Sequence, residues 1–210
     1  MRCTEAPVLT VGKDVVDVER RLVEGLLGCP ECGRRLGPWG YARPRVLRGE
    51  GVVRWRLRPR RARCVGCGRT HVLLPVSALV RRADAAVVIG AALVWAAAGW
   101  GHRQIAERLG RPAATVRGWL RRFVARAGPA RVAFTTLLCE LDPDPPVPEP
   151  AGGAVADAVA AIIAAAGAVG RRWPGLLVGL SPWELAAAVT AGRLLWPGIT
   201  VEVRNTSCPW

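Results

Sequence analysis

Cys29-Pro30-Glu31-Cys32-Gly33 and Cys64-Val65-Gly66-Cys67-Gly68 repeat one short pattern within a chain of 210 residues. Two residues between cysteines, in a tight turn closed by glycine, let both thiolates converge on one ion. Two such knuckles complete a tetrahedral four-sulfur site of the zinc type. The glycine after each second cysteine suits a turn that needs positive φ. Cys29, Cys32, Cys64 and Cys67 are therefore expected to hold one structural Zn2+. His71, four residues beyond Cys67, is expected to be an ordinary strand histidine, because four sulfurs already close such a site. The 31 residues between the knuckles exceed the usual zinc-finger spacing, so the intervening chain must fold back on itself.

That insert carries its own pattern. Val53, Trp55 and Leu57 alternate with Arg54, Arg56 and Arg58, the period-two signature of a strand with one apolar and one cationic face. Gly49-Glu50-Gly51 reads as a turn to an earlier strand near Arg43 to Arg48. Arg60, Arg61 and Arg63 prolong the arginine stripe, and only Glu50 offsets it between Arg34 and Arg69. The whole chain has 30 Lys+Arg against 16 Asp+Glu, a net charge of +14, with Lys13 the sole lysine. The excess is local: residues 29–78 hold 12 basic and 2 acidic groups and residues 79–126 hold 9 and 2, whereas both flanks are slightly acidic. Few metabolic enzymes are so lopsided. Clustered guanidinium groups suit a polyanion, and double-stranded DNA is the expected partner.

Outward from the knuckles, residues 83–98 read as an apolar helix offering Val88, Ile89, Ala92, Leu93, Trp95 and Ala96 for burial. His102 to Leu109 follows as a short helix with Ile105, Ala106 and Leu109 on one face, ended by Gly110. After Pro112 a further helix repeats Val116, Trp119, Leu120 and Phe123 at i, i+3, i+4 and i+7. Its other side carries Ala113, Ala114, Arg117, Gly118 and Arg121. Small Ala106, Gly110 four residues on and Val116 six beyond that match the spacing of a helix-turn-helix. Small side chains early in the second helix would let it approach base edges, and arginines later would reach guanine or phosphate. Ala113, Ala114, Arg117 and Arg121 are thus the expected base-reading set. Arg54, Arg56, Arg58, Arg60, Arg61, Arg63, Arg111, Arg122 and Arg126 are the expected contacts to the DNA backbone, which fix position without reading sequence.

The knuckle Cys29-Pro30-Glu31-Cys32, the segment Arg63-Cys64-Val65-Gly66-Cys67-Gly68-Arg69-Thr70-His71 running into Val72-Leu73-Leu74-Pro75, and the bihelical unit from Ile105 to Phe123 together resemble the zinc-ribbon plus helix-turn-helix region of bacterial transposase-related proteins. They are most similar to a group of short bacterial proteins that carry both modules without a catalytic domain. The resemblance covers residues 29–126 and implies DNA binding, at element ends or at an operator. A transposition role would bring in a catalytic partner chain, and an RNA target for the ribbon is a third reading. Transposases of this type continue into a domain with three metal-binding acidic residues. Here only Glu140, Asp142, Asp144, Glu149, Asp157, Glu184 and Glu202 follow, four of them on or beside a proline run. The chain is therefore expected not to be an enzyme.

The expected architecture is mainly α with a small β zinc ribbon. An N-terminal segment (1–28) precedes the ribbon (29–78) and a three-helix helix-turn-helix domain (79–127). A Pro-rich linker (140–152), extended and semi-rigid, then leads to a small C-terminal helical region (153–210). In the last region residues 154–169 are Ala-rich, and Ser181-Pro182-Trp183-Glu184 starts a helix expected to reach about Leu195. Its surplus of Trp183, Ala187, Val189, Leu194 and Trp196 would serve either a homodimer interface or packing on the DNA-binding domain. The odd cysteine count and the absence of an apolar leader near the N-terminus point to the reducing cytoplasm, in association with the nucleoid. The uncharged stretch 85–101 and the shorter apolar run 158–170 are expected to be buried helices, not membrane spans. Cys3, Cys139 and Cys208 receive no role.

Overall fold

A computed structural model describes residues 7–175 and 179–196. Two layers share the work. The first is a four-stranded sheet of β1 (Val8–Val11), β6 (Thr70–Pro75), β5 (Arg60–Cys64) and β2 (Leu36–Tyr41), in that spatial order, covered by α1 (Val15–Val23). β1 runs parallel to β6, with Val8 opposite Val72, and the other pairs are antiparallel. Leu36, Ala62, Leu73 and the ligand candidates Cys29 and Cys64 form one apolar face, which Val18 and Leu22 of α1 close. Asp14 starts that helix by accepting hydrogen bonds from the amides of Val16 and Asp17. Residues 1–28 were expected to stand apart from the ribbon. The described part supplies an edge strand and a covering helix, because a sheet with an apolar face must bury it.

The insert between the knuckles leaves this layer. β3 (Arg45–Arg48) and β4 (Arg54–Leu57) pair only with each other, turning through Gly49-Glu50-Gly51 as expected. The hairpin docks instead on the helical layer. Leu47 is fully buried in the helical core, Arg48 donates its amide to the Ala83 carbonyl, and the Ala85 amide donates to the Arg48 carbonyl. The expected apolar face of 53–57 forms only in part: Leu57 packs against that core, whereas Val53 and Trp55 stay exposed. The arginine stripe is likewise cut in two, with Arg54 and Arg56 on the hairpin and Arg60, Arg61 and Arg63 on β5 of the other sheet.

The helical layer contains α2 (Ala86–Ala97), α3 (His102–Leu109), α4 (Ala113–Val124), α5 (Ala127–Leu141), α6 (Ala154–Arg172) and α7 (Pro182–Val189). α2 has no charge, and its Ala86, Val88, Ile89, Gly90, Ala92 and Leu93 are buried. Gly110 ends α3 in the left-handed conformation, φ 61°, which a side chain would strain. α5 was not anticipated. It follows α4 with no break beyond Ala125 and Arg126, and its Ala130, Phe134 and Leu138 are buried in the common core.

The proline run is extended, as its composition demands, yet it separates no domains. Arg131 near the start of α5 pairs with Asp157 near the start of α6 (3.5 Å), and Asp142 at the end of α5 pairs with Arg171 at the end of α6 (2.9 Å). The two helices therefore lie parallel. A helix of 15 residues is about 22 Å long, and an extended proline-rich chain covers about 3.1 Å per residue. Residues 143–153 are long enough to run back along α5, where Val147, Pro148 and Pro150 line a groove with Thr135 and Cys139.

α6 is by length and composition apolar enough to cross a membrane. Here its Ala158, Ile162, Ala165 and Ala168 lie in the central core beside α2 and α5. The apolar surplus of the C-terminal region is spent in the same place: Trp183, Ala187 and Leu194 are buried in the core, and an Arg81 guanidinium lies over the Trp196 ring. Packing on the helices of residues 79–127, the second of the two expected uses, is the one found. α7 stops at Val189, short of the expected end near Leu195. Residues 1–6, 176–178 and 197–210, with Cys3, Glu202 and Cys208, lie outside the described residues.

Candidate metal centre and nucleic-acid interface

The four expected ligands converge. The sulfurs of Cys29, Cys32, Cys64 and Cys67 all lie within 4.8 Å of one another, with Cys29 to Cys67 at 3.8 Å and Cys32 to Cys64 at 3.4 Å. A tetrahedral zinc with sulfurs at about 2.3 Å separates them by about 3.8 Å. Both the donor set and its spacing fit that ion. Gly33 and Gly68 close the knuckles with φ of 72° and 71°, the conformation expected for each. The amides of Cys67 and Gly66 point at the Cys64 sulfur and hold its thiol down to about 6. At Cys67 the Arg69 amide favours the thiolate, but desolvation and the neighbouring sulfurs outweigh it and push the thiol up to about 11. A divalent ion would relieve that crowding of sulfurs by drawing all four into the thiolate form.

His71 occupies the strand position expected of it, in β6 opposite Ala62, and is fully buried. Its Nε2 lies 3.4 Å from the Cys29 sulfur. Desolvation holds its pKa below the usual imidazole value, with Arg69 adding to the effect and Glu31 opposing it. A neutral ring can donate its Nε2–H to a Cys29 thiolate and would steady that candidate ligand from outside the four-sulfur set.

The second candidate region is the face of α4. Val116, Trp119 and Phe123 anchor the helix in the core, and Ala114, Arg117 and Arg121 face outward. Ala113, placed with them in the sequence reading, is half-buried and packs against the core. Arg122 bends back to its own helix, donating to the Gly118 carbonyl (2.9 Å), and lies close enough to Arg82 to disfavour a second positive charge there. Burial is the larger cause of that depression. Arg45 on the hairpin is lowered by burial as well. The Nε atoms of both Arg45 and Arg82 are buried with no hydrogen-bond partner in the structure. A desolvated Arg82 with Arg122 beside it makes a natural seat for an anion.

Two members of the expected backbone-contact set are held by carboxylates. Arg111, immediately after Gly110, is 7% exposed; its Nε donates to Asp84 (2.7 Å) and its other nitrogens to the carbonyls of Gly49, Leu109, Gly110 and Gly51. Arg60 is bound by Glu19 of α1 (2.8 Å) and by the Gly40 carbonyl. Both guanidiniums have protein partners, so neither is a free hand for phosphate. Among the others, Arg54, Arg56, Arg58 and Arg63 are exposed, whereas Arg61 and Arg126 are half-buried.

Asp84 is the residue that the sequence reading missed. It is buried, takes Arg111 on one oxygen and Arg48 on the other (2.6 Å), and so ties the helix-turn-helix turn, the start of α2 and the hairpin together. The signal was visible: a lone carboxylate in an arginine-rich segment, directly ahead of a helix without charge.

With that geometry in place, the comparisons are specific about one region. Residues 86–133 match the family model of a homeodomain-like domain, a helix-turn-helix fold. The match takes in α2, α3, α4 and the first turns of α5, which makes α4 the second helix of the bihelical pair. No curated protein and no solved structure matches the chain. A homeodomain-like domain beside a four-cysteine cluster suggests DNA binding by a protein that holds a metal ion of the zinc type. The fold is mixed α and β, with more sheet than the sequence reading allotted.

Proposed function

We propose that the protein is a zinc-containing, sequence-specific DNA-binding protein that acts as a transcriptional regulator or as an accessory factor in transposition. The observation that carries this reading is the outward face of α4, where a small residue, Ala114, precedes Arg117 and Arg121 in a homeodomain-like domain. In such domains the corresponding helix lies in the major groove and its side chains meet base edges. Arg82 and Arg122 flank the helix as phosphate contacts, and the exposed Arg54 and Arg56 of the hairpin extend the cationic surface. The hairpin is held on the helix-turn-helix turn by Arg111, Asp84 and Arg48, so both present to one duplex as a single body.

The reading places the protein in the cytoplasm, at the nucleoid, with no chemistry of its own. Three carboxylates of the helical layer are engaged structurally: Asp142 and Asp157 pair with arginines, and Glu184 caps α7 at Ser181. Targeting a separate catalytic chain to DNA would use the same surface. Selection of bound duplexes from a random pool tests the proposal. A single enriched motif is expected, with Arg117→Ala costing about 1–3 kcal/mol on that motif and relaxing one position of it. A pool that stays random, or retardation that depends on charge alone, would refute sequence reading by α4.

A further inference from the structure

Two exposed aromatic rings have no part in the proposed duplex-reading surface. On the outer strand β2, Trp39 is 51% exposed and Tyr41 49% exposed, although each carries a large apolar ring. Cations surround both. The Arg63 guanidinium lies 4.7 Å from the Trp39 ring centre, and Arg58 and Arg60 lie 4.4 and 4.6 Å from the Tyr41 ring centre. Arg63 is not loose: its Nε donates to the carbonyl of Gly68 (3.2 Å), the residue that closes the second knuckle. A cavity of about 380 Å3 opens beside the indole, lined by Gly37, Pro38, Trp39, Arg63, Val65 and Gly68.

We propose that Trp39 and Arg63 form a stacking shelf for an unpaired base of single-stranded DNA, with the exposed Arg58 taking a neighbouring phosphate. An indole with one side against a guanidinium and half its surface open offers a ring face, and every nucleobase has a ring face to lay on it. Within a duplex those faces are already covered by neighbouring bases, so the shelf selects strands that are unpaired. An apolar protein segment would gain little from the arginines, whereas a nucleotide uses the ring and the charge together. Small Gly37 and Gly68 keep the cavity beside the ring open. The metal matters indirectly: the knuckle fixes Gly68, Gly68 fixes Arg63, and Arg63 lies on Trp39. This surface is distinct from α4, so the inference does not depend on how α4 reads its site.

The test is fluorescence anisotropy with the full zinc-loaded chain, on a labelled oligothymidylate about 12 nucleotides long and on a labelled duplex. Trp39→Ala is expected to weaken the oligothymidylate roughly 5- to 150-fold and to leave the duplex affinity unchanged. Trp39→Phe should retain most of the single-strand affinity, and Arg63→Gln should lose part of it. Arg117→Ala should show the opposite selectivity, so failure of the shelf and failure of α4 are told apart. Zinc content and circular dichroism report whether each variant is folded, and Arg63→Gln decides the matter if Trp39→Ala is not. Absence of oligothymidylate binding, an unchanged affinity in both variants, or an equal loss on duplex and oligonucleotide would overturn the proposal. So would a preference of about tenfold or more for oligouridylate, which would assign the shelf to RNA.

Discussion

The sheet layer around the cysteines and the layer of helices behind it are held together by different physics. The sheet buries few large side chains, chiefly Leu22, Leu27, Leu36 and Leu73, and two of its buried residues are the candidate ligands Cys29 and Cys64. Small cores of this size are commonly completed by a metal. The helical layer buries a continuous set running from Leu47 through Phe123, Phe134 and Ile162 to Leu195, packed closely enough that α2 approaches α7 only because residue 90 is glycine. The sheet layer with the four cysteines lends the other its hairpin, and a buried ion pair fastens the loan. A helix-turn-helix unit can thus be stiffened with chain borrowed from a neighbouring layer.

The most forceful way to break this comparison is to remove the ion. Chelation, or Cys64→Ser, is expected to forfeit metal affinity on the order of 10–16 kcal/mol and to expose the amides of β2, β5 and β6 to hydrogen exchange while α2, α4 and α6 keep their protection. Simultaneous loss in both layers would show that they fold as one unit.

The fastening between the layers comes next. Asp84→Ala strands a buried Arg111 without its counter-charge and is expected to cost about 3–5 kcal/mol, read as a lower urea midpoint. A cost below about 1 kcal/mol would mean that apolar packing of Leu47 and Leu57 and the backbone hydrogen bonds hold the hairpin without the ion pair.

Packing within the helices gives a smaller, two-sided contrast. A Cβ on Gly90 would sit 2.0 Å from the Trp183 ring, whereas one on Gly128 of α5 would meet nothing within 4 Å. Gly90→Ala is expected to destabilise by about 1–3 kcal/mol. Gly128→Ala should be neutral or stabilising by up to about 1 kcal/mol. Thermal midpoints of the two variants, measured side by side, test whether close approach or helix propensity governs this layer.

The mildest effect belongs to the sheet's rim. The hydrogen bond from Arg60, opposed by desolvation and aided by its charge, holds the Glu19 carboxyl below its ordinary 4.5. A depressed carboxylate pKa adds stability above the unfolded value, and the contribution disappears as pH falls through the folded one. Glu19 is 40% exposed, so Glu19→Gln should cost no more than about 1 kcal/mol. That cost should vanish in acid, as urea titrations at neutral pH and below pH 4.5 would show.

What could be read from the chain itself was whatever depends on neighbours in sequence. The doubled Cys-x-x-Cys-Gly fixes a local turn, and a turn with two sulfurs announces its ion wherever the chain goes afterwards. The 3.6-residue recurrence of Val116, Trp119, Leu120 and Phe123, with Gly110 and Pro112 before it, marked α4 and its exposed arginines for the same reason. α5 escaped notice because no side chain caps it and Gly128 and Pro129 stand in its first turn, and contact with α6 makes it a helix of the core. Tertiary structure alone decided which arginines are free. Arg111 and Arg56 look alike in a string of letters, but one meets Asp84 in the interior and the other meets water. A guanidinium's availability is set by the charges that folding brings beside it, and those lie 27 residues away for Arg111 and 41 for Arg60.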